Sequence, residues 1–383
     1  MIAFAFWAGV ALVAYTYVGY PVVAWALARV LGRPNATGPG LPMVTLLIAA
    51  HNEEDVIAAK IENSLALDYP ADRLEIMVVA DGCSDRTCEV VSRYVHLGVR
   101  LVVQEPRAGK VAALNRGVPM AQGEVVVGSD ANAMYRPDAL RRLVRHFEDP
   151  EVGMAAGEKR VLGAGNAAKG EGLYWRYEHF LKQQDSLLSS AMGATGEIFA
   201  IRKALWKPVP GDSIIEDFVI SMGVVQGGHR VIFDPSAVSE EQASPDLREE
   251  FKRKVRITAG GWQSVVRLWP LLSPTYGRVA FQYVSHRVLR WVVVPLLLPL
   301  LLVLNAVMAV DSRHYLALMG LHLAFYAAAF AGYAMQAQGR RPRATYVPFY
   351  FAYLNVAALC GGWRYLRNAQ PVTWEKVRRA EAT

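Results

Sequence analysis

The chain has 383 residues, a net charge of +7 and a hydrophobic fraction of 53%. That leaves room for one sizeable soluble domain and several membrane segments. Three cysteines, Cys83, Cys88 and Cys360, offer neither a disulfide framework nor a zinc spacing, so a reducing compartment fits. The positive charge suits anionic headgroups and phosphates better than nucleic acid, for which no motif is present.

Apolar residues concentrate at the two ends. Ile2–Ala28 is uncharged, aromatic-rich and long enough to span a bilayer, with Arg29 and Arg33 after it. A cleaved leader would carry a shorter apolar run behind a basic start, so residues 1–31 read as a retained anchor. Residues 32–41, with Gly, Pro and Asn, read as a linker; the sequon Asn35-Ala36-Thr37 within it is irrelevant in a cytoplasmic position.

Strand and helix patterns then alternate. Val44–Ala50 leads to a helix near Asp55–Leu67, Glu75–Ala80 to one near Thr87–Leu97, Arg100–Gln104 to one near Lys110–Met120, and Glu124–Ser129 to one near Pro137–Phe147. Near-continuous apolar strands in a βα repeat predict a buried parallel sheet. Gly172–Ser190 reads as a helix, and Glu197–Arg202 and Arg230–Phe233 as short strands. Asp246–Trp269 reads as a charged amphipathic helix interrupted at Gly260-Gly261, and Arg278–Arg290 as a second helix lying at the membrane interface. Trp291–Val310, Tyr315–Met335 and the shorter Tyr346–Gly362 read as further spans, about four in all with the anchor. Basic residues follow the anchor, cluster at Gln338–Arg343 and crowd residues 367–383, which places the middle domain in the cytoplasm. Three C-terminal spans would put the basic tail outside, so the last segment and the charge rule conflict.

Ligands of an open α/β sheet bind outside the carboxyl ends of its strands. Three polar clusters sit at such ends: His51-Asn52-Glu53-Glu54, Asp81-Gly82-Cys83-Ser84-Asp85 and Asp130-Ala131-Asn132. They are expected to converge on one crevice. Asp81 is the candidate for a base or ribose contact and Asp85 for a helix cap, with Gly82 free to adopt positive φ. Asp130 and Asn132, two residues apart in an extended segment, point the same way and can share a hard cation that also touches a diphosphate; Asp-x-Asn is also common in plain turns. Glu216-Asp217 is open between acids favoured by a helix dipole and a general base for an acceptor hydroxyl. Lys110 beside Gly109 suits a phosphate at a helix start, or is simply solvated. Arg253 and Arg256 share a helical face and suit a diphosphate leaving group or lipid headgroups. No Gly-x-Gly-x-x-Gly follows the first strand and no Walker A sequence occurs, which weighs against dinucleotide redox chemistry and P-loop hydrolysis.

In this order the motifs resemble those of the membrane-embedded family 2 glycosyltransferases, such as cellulose, hyaluronan and poly-N-acetylglucosamine synthases. The resemblance runs from Val44 to the C-terminal Trp374–Arg379. It implies an α/β fold: a cytoplasmic GT-A domain (Rossmann-like, mostly parallel sheet) over residues 42–240, between N- and C-terminal transmembrane helices. Residues 241–290 would then be interfacial helices, 291–366 transmembrane helices and 367–383 a basic tail. It further implies an inverting transfer from a UDP-sugar to a glycan or lipid-linked acceptor, in a protein of the cytoplasmic membrane surrounded by lipid and served by polysaccharide-export partners. By the resemblance Ala50, Asn52, Glu53 and Asp81 contact the nucleoside, Lys110 the diphosphate, and Asp130 with Asn132 binds Mg²⁺ or Mn²⁺. Asp217, beside Glu216, is the base, Arg253 and Arg256 face the leaving group, and Thr195, Gly196 and Glu197 meet the acceptor.

Two departures shape the expectation. Asn132 stands where the family usually has a second Asp. Arg253 and Ile257 stand where the polymer synthases carry the Gln and the Trp of their Gln-x-x-Arg-Trp signature; polysaccharide synthesis is the first reading, and this departure supports the alternative, transfer of one sugar to a lipid-linked or short glycan acceptor. A non-catalytic component of an export complex is the reading from a different class.

Overall fold

The computed structural model describes residues 1–162, 166–242, 247–340 and 344–372. The chain enters through α1 (Ile2–Ala14), a π turn over Tyr15–Gly19 and α2 (Tyr20–Leu31), which together form one continuous apolar helix. Residues 32–41 carry no helix or strand and are tied down by hydrogen bonds and an ion pair. The Arg33 amide donates to the Leu187 carbonyl, its guanidinium pairs with Glu151 at 2.9 Å, and the Gly38 amide donates to Arg145.

The domain opens with β1 (Val44–Ala50), α3 (Ile57–Leu65), β2 (Leu74–Asp81), α4 (Thr87–Ser92) and β3 (Val99–Gln104). It continues through α5 (Lys110–Met120), β4 (Val125–Asp130), β5 (Met134–Tyr135), α6 (Ala139–Val144), β6 (Val152–Leu162) and α7 (Asn166–Leu188). It closes with β7 (Ile198–Arg202), α8 (Glu216–Gln226) and β8 (Arg230–Gln242). The eight strands form one sheet in the order β3-β2-β1-β4-β7-β6-β8-β5. Pairs β1–β2, β2–β3, β1–β4 and β6–β8 are parallel, and β7 enters antiparallel to both β4 and β6. The expected α/β architecture with a mostly parallel sheet is what the chain adopts. The central strands β1 and β2 are largely apolar because each is covered on both faces: Leu47, Met77 and Val79 face one core layer, and Leu46, Ile48 and Val78 the other.

The topology fixes where the site must lie. From β1 the chain steps outward to β2 and β3, then returns to the opposite side of β1 as β4. The crevice at the carboxyl ends of β1 and β4 is the switch point of the sheet, where ligands of such folds bind.

Beyond the sheet come α9 (Leu247–Arg267), α10 (Arg278–Tyr283), a π-helical segment over Val284–Val293, α11 (Val294–Ala309), α12 (Arg313–Ala337) and α13 (Tyr346–Leu366). Among the described residues three helices are long and apolar enough to cross a membrane: Ile2–Leu31, Arg278–Ala309 and Arg313–Ala337. The fourth expected span, α13, is not among them. It packs on α9 instead, where a Cβ on Gly361 would meet Thr258 Oγ1 and one on Gly362 would meet Trp262. The basic tail from residue 373 onward lies outside the described residues.

The structure corrects two sequence readings. First, Gly260-Gly261 does not interrupt α9. Both glycines are buried mid-helix, where an added Cβ would meet Ile215 at Gly260 and Trp291 at Gly261. Second, Arg278–Arg290 is not a separate helix: it is continuous with the apolar helix that runs on to Ala309, and three of its basic side chains, His286, Arg287 and Arg290, turn inward. His286 Nδ1 lies 2.5 Å from Asp185 Oδ2, Arg287 Nη1 2.8 Å from Glu178 Oε1, and Arg290 Nη1 2.9 Å from Glu178 Oε2. Burial of those charges is sustained because α7 brings the carboxylates.

Candidate active site

Two of the three strand-end clusters bind each other. His51 Nδ1 is 2.6 Å from the Asp81 carbonyl, the Ser84 amide donates to Asn52 Oδ1 at 2.8 Å, and the Glu53 amide donates to Thr87 Oγ1 at 2.8 Å. Asn52 carries φ +53°, a left-handed conformation that asparagine tolerates and that turns the chain out of β1. Asp85 does what its position predicts: its carboxylate accepts the Thr87 amide and hydroxyl at the start of α4. Gly82 does adopt positive φ, +57°, and a Cβ there would meet the Arg107 backbone at 2.5 Å. Ala50, last residue of β1, is buried.

Asp81 is buried, and its oxygens are engaged by its own chain. Oδ1 accepts from Gln104 Nε2 and the Ala108 amide, both at 2.8 Å, and Oδ2 from the Gly109 amide at 2.6 Å. The sequence put Asp81 at a ligand; here it also shapes the loop that delivers Lys110 to the start of α5.

Lys110 is the hub of the third cluster. Its Nζ lies 2.6 Å from Asp130 Oδ1 and 3.1 Å from Glu216 Oε1, and it donates to the Gly196 carbonyl at 3.2 Å. So the end of β4, the start of α5, the start of α8 and the loop before β7 meet at one ammonium group. Gly196 sits close against the cluster: a Cβ there would lie 3.0 Å from Lys110 Nζ and 3.5 Å from Asp217 Oδ2. Thr195 hangs from the sheet by donating to the Gly157 carbonyl at 3.2 Å.

A second cation, Lys159 of β6, joins Glu197 at 2.5 Å to Glu241. Asn132 Nδ2 donates to Glu241 Oε1 at 2.6 Å. Sequence reasoning missed Lys159 and Glu241 because it missed β6 and ended β8 at Phe233. The available signal was the apolar run Val152–Ala156. Of the α9 arginines, Arg256 donates to the Ile214 carbonyl at 3.0 Å and its charge acts on Glu216, while Arg253 pairs with Glu250 at 2.7 Å and its charge reaches Lys159.

The electrostatics separate the acids. Burial pushes Asp217 up to about 7, the neighbouring Glu216 charge adds to the rise, and Lys110 opposes it. Burial would raise Glu216 too, but Lys110 and Arg256 outweigh it and hold this acid below its usual range. Burial likewise works against Glu197, yet Lys159 and Lys110 hold it down at about 2. Two adjacent acids whose environments drive their pKa values apart are the arrangement acid–base chemistry needs.

Among the described residues no group of three His, Cys, Asp or Glu is assembled to hold a metal ion. The donors at the end of β4 are one carboxylate, Asp130, and one amide, Asn132, both oxygen ligands suited to a hard cation. A divalent ion bound through so few protein groups draws its remaining ligands from water and substrate phosphates. The residues therefore fit a cation that arrives with its diphosphate, and do not form a closed cage.

The family model described as "Glycosyltransferase like family 2" matches residues 39–260, more than half of the chain. The chain belongs to the family 2 glycosyltransferases. It is 29% identical over 269 residues to the beta-monoglucosyldiacylglycerol synthase of Trichormus variabilis, covering 64% of this chain and 56% of that protein. It is 27% identical over 247 residues to the poly-beta-1,6-N-acetyl-D-glucosamine synthase of Staphylococcus aureus, covering 61% and 58%. The chain thus spans a little over half the length of the curated relatives it matches. Its fold follows that of the mannosyltransferase PcManGT from Pyrobaculum calidifontis, solved in complex with GDP-Man and Mn²⁺. The TM-score is 0.70 at 24% identity, over 95% of this chain and 99% of that one. That likeness gives this family 2 glycosyltransferase its GT-A-like fold.

Proposed function

We propose that the chain moves a sugar from a nucleotide-activated donor, a UDP-sugar, to an acceptor hydroxyl at the cytoplasmic face of the membrane, with inversion at the anomeric carbon. The observation that carries this reading is the Asp217 carboxylate, pushed up to about 7 and gathered with Lys110, Asp130 and Glu216 at the switch point of the sheet. A carboxylate that titrates near neutrality takes a proton in the transition state efficiently. The acceptor hydroxyl gives its proton to Asp217, its oxygen bonds to the anomeric carbon, and the bond from that carbon to the diphosphate oxygen breaks on the opposite face.

Lys110, Arg253 and Arg256 offset the charge that gathers on the departing diphosphate. Mg²⁺ or Mn²⁺ on Asp130 and Asn132, when bound, supplies further Lewis-acid charge there. Ala50, Asn52, Glu53 and Asp81 border the nucleoside. Thr195, Gly196 and Glu197 meet the acceptor, and Glu216 keeps its charge beside the base. Residues 42–240 form the catalytic domain. The anchor 1–31 and the helices from Arg278 onward hold it at the lipid surface, and α9 lies along that surface.

The relatives' names point to polysaccharide or glycolipid synthesis. Ile257, in the place of the polymer synthases' Trp, favours a single addition to a lipid-linked or short glycan acceptor, without an export partner. The test is release of nucleoside diphosphate by purified protein in detergent from a panel of UDP- and GDP-sugars with Mn²⁺. Acceptors are diacylglycerol vesicles or N-acetylglucosamine oligomers, and product length and anomeric configuration are read by electrophoresis and NMR. A single inverted sugar from a UDP-sugar is expected. No release from any donor would leave the non-catalytic export reading in its place.

A further inference from the structure

The membrane helix Arg278–Ala309 reaches into the catalytic half of the site through one side chain. Arg287 is buried, and its Nη1 pairs with Glu178 Oε1 of α7 at 2.8 Å. Its Nε donates to the Met192 carbonyl at 2.6 Å. Its guanidinium carbon stands 5.7 Å from the centre of the Phe218 ring and 5.2 Å from that of Trp291.

Both contacts lead to Asp217. Met192 precedes Gly193, which turns the chain at φ +109° toward Thr195-Gly196-Glu197 and where a Cβ would strike Phe218 Cδ2 at 2.7 Å. Gly196 then lies against Lys110 Nζ and Asp217 Oδ2. Along the other route, Phe218 is the residue after Asp217, and its amide donates to Asp217 Oδ1 at 2.8 Å. One guanidinium thus braces the loop on one side of the Asp217 carboxylate and the ring next to it on the other. A lone buried charge would be costly here; Glu178 makes it affordable by pairing with Arg287 and with Arg290 at 2.9 Å.

We propose that Arg287, held by Glu178, is a positioning residue for the Asp217 carboxylate and the acceptor loop, so that proton transfer depends on the seating of a membrane helix. The inference rests on the reading of Asp217 as the base. Its role is separate from donor binding, since apart from the ion pair with Glu178 and the neighbouring Trp291 its contacts are to Met192, ahead of the acceptor loop, and to Phe218, beside the base.

The experiment compares the parent, Arg287→Gln, Arg287→Lys and Asp217→Asn as full-length proteins in detergent. It measures UDP–Mn²⁺ affinity by calorimetry, and turnover against pH with whichever of diacylglycerol vesicles or N-acetylglucosamine oligomers the parent accepts. A displacement of about 1 Å at a reacting group can cost on the order of 100-fold in rate. Arg287→Gln is therefore expected to lose ~10–100-fold in kcat, to keep its UDP affinity and to shift the acidic limb of the pH profile. Arg287→Lys, which keeps the charge but not the Nε–H to Met192, falls between the two, and it carries the test if the Gln variant does not fold.

Parent-like kcat and pH profile in either folded variant would overturn the proposal, as would loss of UDP affinity in step with kcat, which marks a merely structural role. If Asp217→Asn also turns over normally, it is the assignment of the base that has failed, and the positioning role falls with it.

Discussion

Lys110 Nζ lies 2.6 Å from Asp130 Oδ1, so the cation that opens α5 rests on the acid that closes β4. Paired with Asp130 and Glu216, Lys110 neutralises two acids of the site, and in the proposed reaction it would also face the donor's diphosphate. Lys110→Met removes that charge. Its nucleotide affinity is expected to fall ~10–100-fold, or about 1.4–2.8 kcal/mol. Calorimetry with UDP and Mn²⁺ reads the change, and an unaltered Kd would remove Lys110 from the donor site.

Asp217 sets a pH dependence of a definite sign. As a base it works only when deprotonated, so kcat rises with pH and levels off above about 7. Stability runs the other way. The folded chain keeps a proton on Asp217 that the unfolded chain releases nearer the ordinary carboxylate pKa. This contribution to folding is complete below the unfolded pKa and is lost as pH rises through about 7. Asp217→Asn stays neutral throughout. It is expected to melt higher than the parent at about pH 8 and level with it at low pH, by roughly 2–4 °C for each kcal/mol relieved. Thermal melts at the two pH values check it.

Asn132 makes the cation requirement testable from the protein side. Chelation with EDTA is expected to abolish turnover, with Mn²⁺ restoring it. Asn132→Asp would set a carboxylate where an amide now donates to Glu241 at 2.6 Å. Two like charges at that distance repel, so the variant melts lower than the parent without metal, yet reaches half-maximal activity at a lower Mn²⁺ concentration. An unchanged Mn²⁺ requirement would take Asn132 out of the metal set.

The seam between α9 and the membrane helix depends on having no side chain at residue 261. A Cβ on Gly261 would fall 2.7 Å from Trp291 Cδ2. Gly261→Val is expected to cost about 1–3 kcal/mol through overpacking. Gly211, with nothing within 4 Å of its Cβ position, is the control for the same substitution. Melting curves of the two variants separate the packing effect from that of valine itself.

The sequence carries the first half of the sheet plainly. Strands such as Val44–Ala50 and Leu74–Asp81 are apolar along most of their length because both faces are covered, and the polar residues at their carboxyl ends mark the crevice. The strand β6 escaped, since its apolar run Val152–Ala156 is short and passes into the charged Glu158-Lys159-Arg160. In the fold Lys159 is buried, its charge met by Glu197 and by Glu241 from neighbouring strands. That pairing is set by strand order, which no local pattern encodes.

The same holds for Arg278–Arg290. Its basic, apolar alternation looks like a membrane-surface helix until Glu178 and Asp185 of α7 supply the inward partners. Within the site, Lys110, Asp130 and Asp217 were legible because each sits at the end of a regular element. The loop-shaping role of Asp81 was not, because its partners Gln104, Ala108 and Gly109 come from the end of β3 and the aperiodic loop after it.

The central claim is that Asp217 accepts the acceptor's proton, and the most direct measurement is single-turnover release of nucleoside diphosphate by Asp217→Asn in the presence of acceptor. The account predicts a loss of about 10²–10⁴-fold with nucleotide affinity unchanged. Turnover at the parent's rate in a folded Asp217→Asn protein would contradict it.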